Sequence, residues 1–221
     1  MDDGAKQIEI AFEIAQTKNV NIDMHIDETD NPYWHSLELL ADKTIEAGYQ
    51  GRVTASHCCA MAAWDNKMAA RIIEKVKKAD ISVVSNTPIN LLLQGRSDEV
   101  PVRRGIARIS EMLEAGINVC CGQDDIMNMF YPFGQMDPFE VASIAAHAGH
   151  LTAPIQIEQA FNMPRYHAAK NIGLKNYGIH EGADANLILM DAKSPVDVLR
   201  RKAKRMYVIR NGEILVQNEM N

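Results

Sequence analysis

The feature that most constrains this chain is an alternation of short β-type runs with amphipathic helical segments. The β-type runs cover residues 20–25, 52–56, 81–85 and 118–121. Between them, apolar residues recur at three- and four-residue spacing, as in Met68, Ile72 and Val76, which predicts helices. The first of these helices is expected to begin at Asn31-Pro32, since proline at a first helical position needs no backbone donor. Strands and helices that alternate at this interval predict a parallel sheet.

Two kinds of parallel sheet have to be separated. A doubly wound sheet that binds nucleotides carries GxGxxG or GxxxxGK[ST], and neither motif occurs in the sequence. A (β/α)8 barrel instead places its functional residues at the carboxyl ends of its strands. Polar residues stand at that point of each run, namely His25, His57, Asn86 and the pair Asp124-Asp125. The sequence therefore predicts an α/β fold of the TIM-barrel type.

The composition changes near residue 185. Residues 185–191 have the pattern of a strand, and residues 205–210 and 213–216 have the pattern of a hairpin. Asn211-Gly212 lies between the last two segments and is a favoured two-residue hairpin turn. We therefore divide the chain into a barrel part, residues 1–184, and strands of a small β domain, residues 185–221.

Charge and composition exclude several classes of protein. The net charge is −6 and the 23 basic residues are spread along the chain, so we expect no nucleic-acid polymer as a partner. We expect no membrane span, because no apolar run approaches about 20 residues, and the start of the chain has no signal-peptide pattern. We therefore expect a cytoplasmic protein, and the four cysteines, which form two adjacent pairs without CxxC spacing, are predicted to be reduced packing residues.

The densest group of chemistry-bearing residues follows the first β-type run. His25 is followed within five residues by three carboxylates, Asp27, Glu28 and Asp30. Such crowding costs free energy unless a cation or a proton offsets the repulsion. Each residue alone could be a helix cap, a turn former or a structural histidine. On neighbouring barrel strands, however, two imidazoles and at least two carboxylates would share one cavity, which suits zinc or iron.

Several motifs together resemble the bacterial cytosine deaminases of the amidohydrolase superfamily. The matching segments are residues 25–28 (HIDE), 53–57 (VTASH), 93–96 (LQGR), 103–106 (RRGI), 118–125 (NVCCGQDD) and 177–188. The resemblance covers nearly the whole chain from residue 20. It implies that the chain holds the second half of the (β/α)8 barrel and part of a small β-sandwich appendage. The chain would then begin just before the fifth barrel strand, as a truncated form would.

The resemblance also implies a role for each matching residue. His25 would bind a divalent metal, zinc or iron, and Glu28 would shuttle a proton to the substrate ring. His57 would orient the attacking hydroxide. Asp124 would bind the metal and accept the proton of the attacking water. Asp125 and the loop after it would line the substrate pocket.

The sequence departs from the family pattern at three points. It contains no His-x-His pair, which supplies two further metal ligands in the family. Phe130 stands in place of a tryptophan that contacts the substrate, and Gln123 replaces a histidine of the close relatives. Both positions would line the substrate-binding pocket in the family. Phenylalanine is smaller than tryptophan, so Phe130 would leave more room in that pocket.

The function expected from the resemblance is metal-dependent hydrolytic deamination of a cytosine-type cyclic amidine, a small-molecule substrate, by a homo-oligomer. Related substrates stay open, namely isoguanine, a pterin, creatinine or a cyclic amide, because fold does not choose between them. A different class also stays open, in which the chain is a non-catalytic fragment or an oligomerising piece.

Overall fold

The structure of the chain, a computed structural model, describes residues 2–219. The first elements are α1 (Asp2–Lys18), β1 (Ile22–Ile26), α2 (Ser36–Glu46), β2 (Val53–His57), α3 (Asn66–Lys78), β3 (Ser82–Ser85), α4 (Thr87–Leu93), α5 (Ile109–Glu114) and β4 (Val119–Cys121). They are followed by α6 (Pro138–Ala148), α7 (Pro154–Asn162), α8 (Ala168–Asn171), β5 (Leu187–Met190), α9 (Pro195–Arg201), β6 (Arg205–Arg210) and β7 (Glu213–Gln217). None of these helices is long and apolar enough to cross a bilayer.

The first four strands form one parallel sheet in the order β1-β2-β3-β4. α1 precedes the first strand and further helices lie between successive strands. Their apolar faces form a single core with the sheet, to which Phe12, Leu40 and Ile72 contribute fully buried side chains. This is the α/β architecture of a partial (β/α)8 barrel, as the alternating pattern predicts. All four carboxyl ends therefore lie along the same edge of the sheet.

The predicted start of α2 at Asn31-Pro32 is wrong. The Asn31 side-chain oxygen accepts a hydrogen bond from the Tyr33 amide at 2.9 Å, and the Trp34 amide donates to the Asn31 carbonyl at 3.2 Å. Residues 31–34 therefore form a turn, and α2 begins at Ser36. Asparagine competes for backbone groups in this way more strongly than proline at a first position favours a helix.

The last strands form a separate three-stranded antiparallel sheet in the order β5-β6-β7. The predicted hairpin is confirmed, with Asn211 and Gly212 both at positive φ (51° and 82°), as a type I′ turn requires. The sequence pattern missed α9, whose amino end is capped by the Ser194 hydroxyl. The Arg205 guanidinium pairs with the Asp137 carboxylate of the barrel part. A domain boundary at residue 184 stays a prediction.

The cysteines are free thiols that fill the core. Cys58, Cys59 and Cys120 are buried, and Cys121 is partly buried. Burial raises the pKa of the Cys120 thiol to about 12. A thiol with such a pKa is unreactive at neutral pH, so packing is the role that the structure supports.

Candidate metal centre

Two histidines stand side by side at the carboxyl edge of the parallel sheet. His25 is the penultimate residue of β1, and His57 is the last residue of β2. Their closest ring nitrogens, His57 Nε2 and His25 Nδ1, are 3.1 Å apart. The His57 side chain is completely buried, whereas 63% of the His25 side chain is exposed. The sheet therefore holds one histidine in a fixed place beside another that is open to ligands.

The backbone turns sharply where β2 ends. His57 and Cys58 have φ of 72° and 53°, in the left-handed region. Each such non-glycine residue costs on the order of 1–3 kcal/mol. The turn lets the Cys58 amide donate to the Ile26 carbonyl of β1 at 2.9 Å. This bond continues the β1–β2 pairing past the strand ends and fixes the point from which the His57 ring projects.

Two carboxylates approach the histidine pair from different loops. Glu28 lies 3.8 Å from His25 Nδ1 through Oε2 and 3.5 Å from His57 Nδ1 through Oε1. Asp124, which follows β4 and has φ of 65°, lies 3.9 Å from His57 Nε2 through Oδ2. The structure thus brings together two imidazoles and two carboxylates that the sequence predicts to share one cavity.

The charges of this cluster are unbalanced. Burial raises the pKa of Glu28, and the negative charge of Asp124 raises it further. Burial and neighbouring Asp125 likewise raise the pKa of Asp124. Burial, together with the His25 charge, lowers the pKa of His57 to about 4, so its ring is neutral. Within residues 2–219, neither Glu28 nor Asp124 forms an ion pair with lysine or arginine.

The donor atoms of the cluster fit a divalent cation. His25, His57 and Asp124 each offer one ligand atom, and these three atoms lie within 4.8 Å of one another. Two imidazoles and a carboxylate are donors that zinc and iron accept. A divalent cation would also supply the positive charge that the cluster lacks and would favour the ionised carboxylates.

Two of the three crowded carboxylates point away from the histidines. The buried Asp27 side chain accepts hydrogen bonds from the Ser36 and Leu37 amides at 2.8 and 2.9 Å, at the start of α2. Asp30 accepts from the Gly95 amide at 2.9 Å. Asp27 and Asp30 therefore do not belong to the carboxylates that share the cavity with the histidines, because backbone amides elsewhere bind their side chains. Only Glu28 of this group faces the histidines.

A loop held by Asn128 carries the residues expected to bind substrate. The Asn128 side-chain NH2 group donates to the Asp125 carboxylate. The Asn128 side-chain oxygen accepts from the backbone amides of Phe130 and Tyr131 at 2.9 Å each. Asp125 adjoins Asp124, and the Phe130 side chain is about half exposed. The structure therefore places Asp125 beside the cluster and Phe130 on an open part of the same loop.

Two asparagines that contact His57 received no role from the sequence pattern. Asn86 Nδ2 lies 3.1 Å from His57 Nε2, and Asn90 Nδ2 lies 3.1 Å from His57 Nδ1. Asn86 is recognisable as a polar residue at the end of β3. Asn90 follows four residues later, one turn into α4, and this spacing is the signal that could have identified it.

Comparison with known proteins identifies the family. A model of the amidohydrolase family matches residues 1–216. The chain belongs to the amidohydrolase family. Members of this family use a divalent metal, in agreement with the donor set formed by His25, His57 and Asp124. The resemblance seen in the strand-end motifs is confirmed.

Two curated relatives share the same level of sequence identity with this amidohydrolase chain. The pterin deaminase of Rhizobium rhizogenes is 31% identical over 211 residues, which cover 95% of this chain and 48% of the relative. The N-isopropylammelide isopropyl amidohydrolase of Pseudomonas sp. is 31% identical over 217 residues, which cover 96% of this chain and 50% of the relative. The chain therefore spans about half the length of the curated relatives that it matches.

A solved structure supports the partial-barrel fold. The 5-methylcytosine deaminase of Klebsiella pneumoniae, crystallised with 5-fluorocytosine, superposes with a TM-score of 0.96 and 33% sequence identity. The match covers 100% of this chain and 54% of that enzyme. The fold of this amidohydrolase chain is thus that of about half of a larger barrel enzyme.

Asp27 provides a test of how the Glu28 loop is held. In Asp27→Asn, the side-chain NH2 group would replace one carboxylate oxygen and face one of the two backbone N–H donors of α2. Since both groups are donors, that backbone N–H would be left unpaired. We expect the free energy of unfolding, measured by urea denaturation of the chain, to fall by about 1–3 kcal/mol. The control is Asp80→Asn, at an exposed left-handed turn where asparagine is well tolerated. Equal stabilities of the two variants would contradict the anchoring role of Asp27.

Proposed function

We propose that this chain supplies one half of the active site of a hydrolytic deaminase that acts on a nitrogen heterocycle. The observation that carries the proposal is the convergence of Glu28 and Asp124 on the His25–His57 pair. Two carboxylates on opposite sides of a buried neutral imidazole can move protons onto and away from a bound ring. The whole enzyme's ligand set would include residues beyond those of this chain.

His25 and Asp124 are the residues proposed to hold the cation, either zinc or iron. A bound divalent cation lowers the pKa of water toward about 7 and so makes a nucleophile available at neutral pH. His57 is proposed to orient the attacking water, because its ring is neutral, buried and held at both nitrogens. Asp124 is proposed to accept the proton of that water.

Glu28 is proposed as the proton donor to the ring. Its raised pKa keeps a larger protonated fraction than an exposed glutamate has. Oxygen from water bonds to the ring carbon that bears the amino group, while Glu28 protonates the adjacent ring nitrogen. Asp124 then passes its proton to the amino group, the carbon–nitrogen bond breaks and ammonia leaves. Glu28 regains a proton from the hydroxyl as the carbonyl forms.

The proposed substrate is a nucleobase-like cyclic amidine of the cytosine type. The relative named as a 5-methylcytosine deaminase supports a pyrimidine, and the relative named as a pterin deaminase supports a bicyclic ring. Phe130 favours including the larger ring among the candidates, because phenylalanine occupies less volume than the tryptophan expected from the resemblance.

The proposal can be tested with a chimeric enzyme. The 221-residue chain is joined to the part of the Klebsiella enzyme that lies outside the match, and ammonia release is measured with cytosine, 5-methylcytosine, isoguanine and pterin. We expect turnover with at least one of them, and we expect Glu28→Gln to lower it by about 10²-fold or more while metal content is kept.

The matched control is Glu158→Gln, which alters an exposed glutamate of α7 and should leave turnover unchanged. A folded, metal-loaded chimera that releases no ammonia from any ring would favour a non-catalytic chain instead. Normal turnover of Glu28→Gln would remove Glu28 from the mechanism.

The loop residues are tested by substrate selectivity in the same chimera. Phe130→Trp adds ring area, so we expect it to lower kcat/KM for bicyclic rings relative to pyrimidines. Asp125→Ala removes a carboxylate that could fix the edge of a bound ring, so we expect KM to rise for every substrate. Unchanged selectivity in Phe130→Trp together with an unchanged KM in Asp125→Ala would show that neither residue shapes the pocket.

A further inference from the structure

Both ring nitrogens of His57 contact side-chain amides of asparagines. Asn90 Nδ2 lies 3.1 Å from Nδ1, and Asn86 Nδ2 lies 3.1 Å from Nε2. His57 and Asn90 have no exposed surface, and Asn86 is buried as well. Each ring nitrogen therefore has a buried amide within hydrogen-bond distance, and Nε2 also faces His25.

A neutral imidazole carries one N–H and one lone pair. Two amide NH2 groups cannot both donate to it, because only one ring nitrogen accepts. One of the two amides must therefore present its oxygen. The oxygen and nitrogen of an asparagine amide exchange places when the group rotates by 180°, and the hydrogen-bond network decides between the two orientations.

Asn90 is the amide whose oxygen is fully buried and has no hydrogen bond. Among the fully buried side-chain nitrogen and oxygen atoms of residues 2–219, only Asn90 Oδ1 and Gln123 Oε1 have no hydrogen bond. Rotating the Asn90 amide brings Oδ1 to the position 3.1 Å from His57 Nδ1, and the NH2 group takes the place that the oxygen leaves. Asn86 Oδ1 instead packs against Gly122, where an added Cβ would come within 2.3 Å of it. Asn86 Oδ1 is not among the fully buried atoms without a partner, so nothing requires its amide to rotate, and Asn86 keeps its nitrogen toward Nε2.

We propose that Asn90 is a positioning residue that accepts the Nδ1–H of His57 and so fixes the tautomer whose Nε2 lone pair faces His25 and Asp124. Nε2 is the ring atom nearest to both residues, at 3.1 and 3.9 Å. Glu28 Oε1, at 3.5 Å from Nδ1, is a more distant acceptor. The Asn86 NH2 group then donates to Nε2 until a ligand occupies the site.

The fixed tautomer gives His57 a defined chemical role. A lone pair on Nε2 can accept a hydrogen bond from water, or face a cation, in the space shared with His25 and Asp124. An N–H at the same atom would repel the cation, and it could only donate to the water instead of accepting from it. The catalytic value of this tautomer rests on the proposed function, whereas the tautomer itself does not.

Nitrogen NMR reads the tautomer directly. The 221-residue chain is labelled with ¹⁵N and freed of metal with a chelator, and its imidazole nitrogens are correlated with the ring carbon protons. The His57 signals are those lost in His57→Gln. We expect a pyrrole-like, protonated Nδ1 and a pyridine-like, unprotonated Nε2 in the wild-type chain.

Variants of Asn90 show whether this residue sets the tautomer. Asn90→Asp keeps an acceptor and should keep the protonated Nδ1, whereas Asn90→Leu removes the acceptor and should shift the proton toward Nε2. The control Asn21→Leu alters an exposed asparagine and should change neither signal.

A protonated Nε2 in the wild-type chain would overturn the proposal, and this measurement needs no folded variant. A tautomer that is unchanged in Asn90→Leu but altered in Glu28→Gln would also overturn it, since Glu28 would then be the acceptor. An inactive chimera with the expected tautomer would count against the proposed function alone.

Discussion

The parallel register of β1 and β2 places His25 opposite Ser56 and Ile26 opposite His57. This offset of one residue lets the two imidazoles meet above the ends of neighbouring strands. Hydrogen bonds between β3 and β4 extend the same edge, because Ser85 pairs with Cys121 and the Gly122 amide donates to the Ser85 carbonyl. The position of every group in the site follows from this edge, since each loop starts where its strand leaves the sheet.

Unfavourable electrostatic interactions and unfavourable backbone conformations occur together in the site. Glu28 and Asp124 are partly desolvated beside another negative charge, and His57 and Asp124 occupy left-handed backbone. Conformations of this kind cost of order 1–3 kcal/mol each and persist where surrounding structure holds them. Here hydrogen bonds from the Cys58 amide to the Ile26 carbonyl and from the Gly122 amide to the Ser85 carbonyl hold the chain beside these two residues. A divalent cation would offset the repulsion between the desolvated carboxylates. The same donor set is therefore unfavourable without a cation and suited to binding one.

The sequence predicted the convergence of His25, His57 and Asp124, because the alternation of strands and helices fixes which residues share an edge. It did not predict the direction of Asp27, since a left-handed residue directly after β1 turns this side chain to the start of α2. It also missed Asn90, whose importance comes from a contact with His57 across 33 residues of sequence. The alternation of strands and helices thus located the strand ends. The directions of side chains in the loops depend on tertiary contacts that the sequence pattern does not contain.

The most direct test of the account is a crystal structure of the chain grown with zinc and measured at the zinc absorption edge. We expect a peak of anomalous density between His25 and Asp124, beside His57, with Asp27 still bound to the amides of α2. Zinc bound only at other histidines, with no density beside His57, would contradict the claim that the strand ends build half of a metal-dependent hydrolytic site.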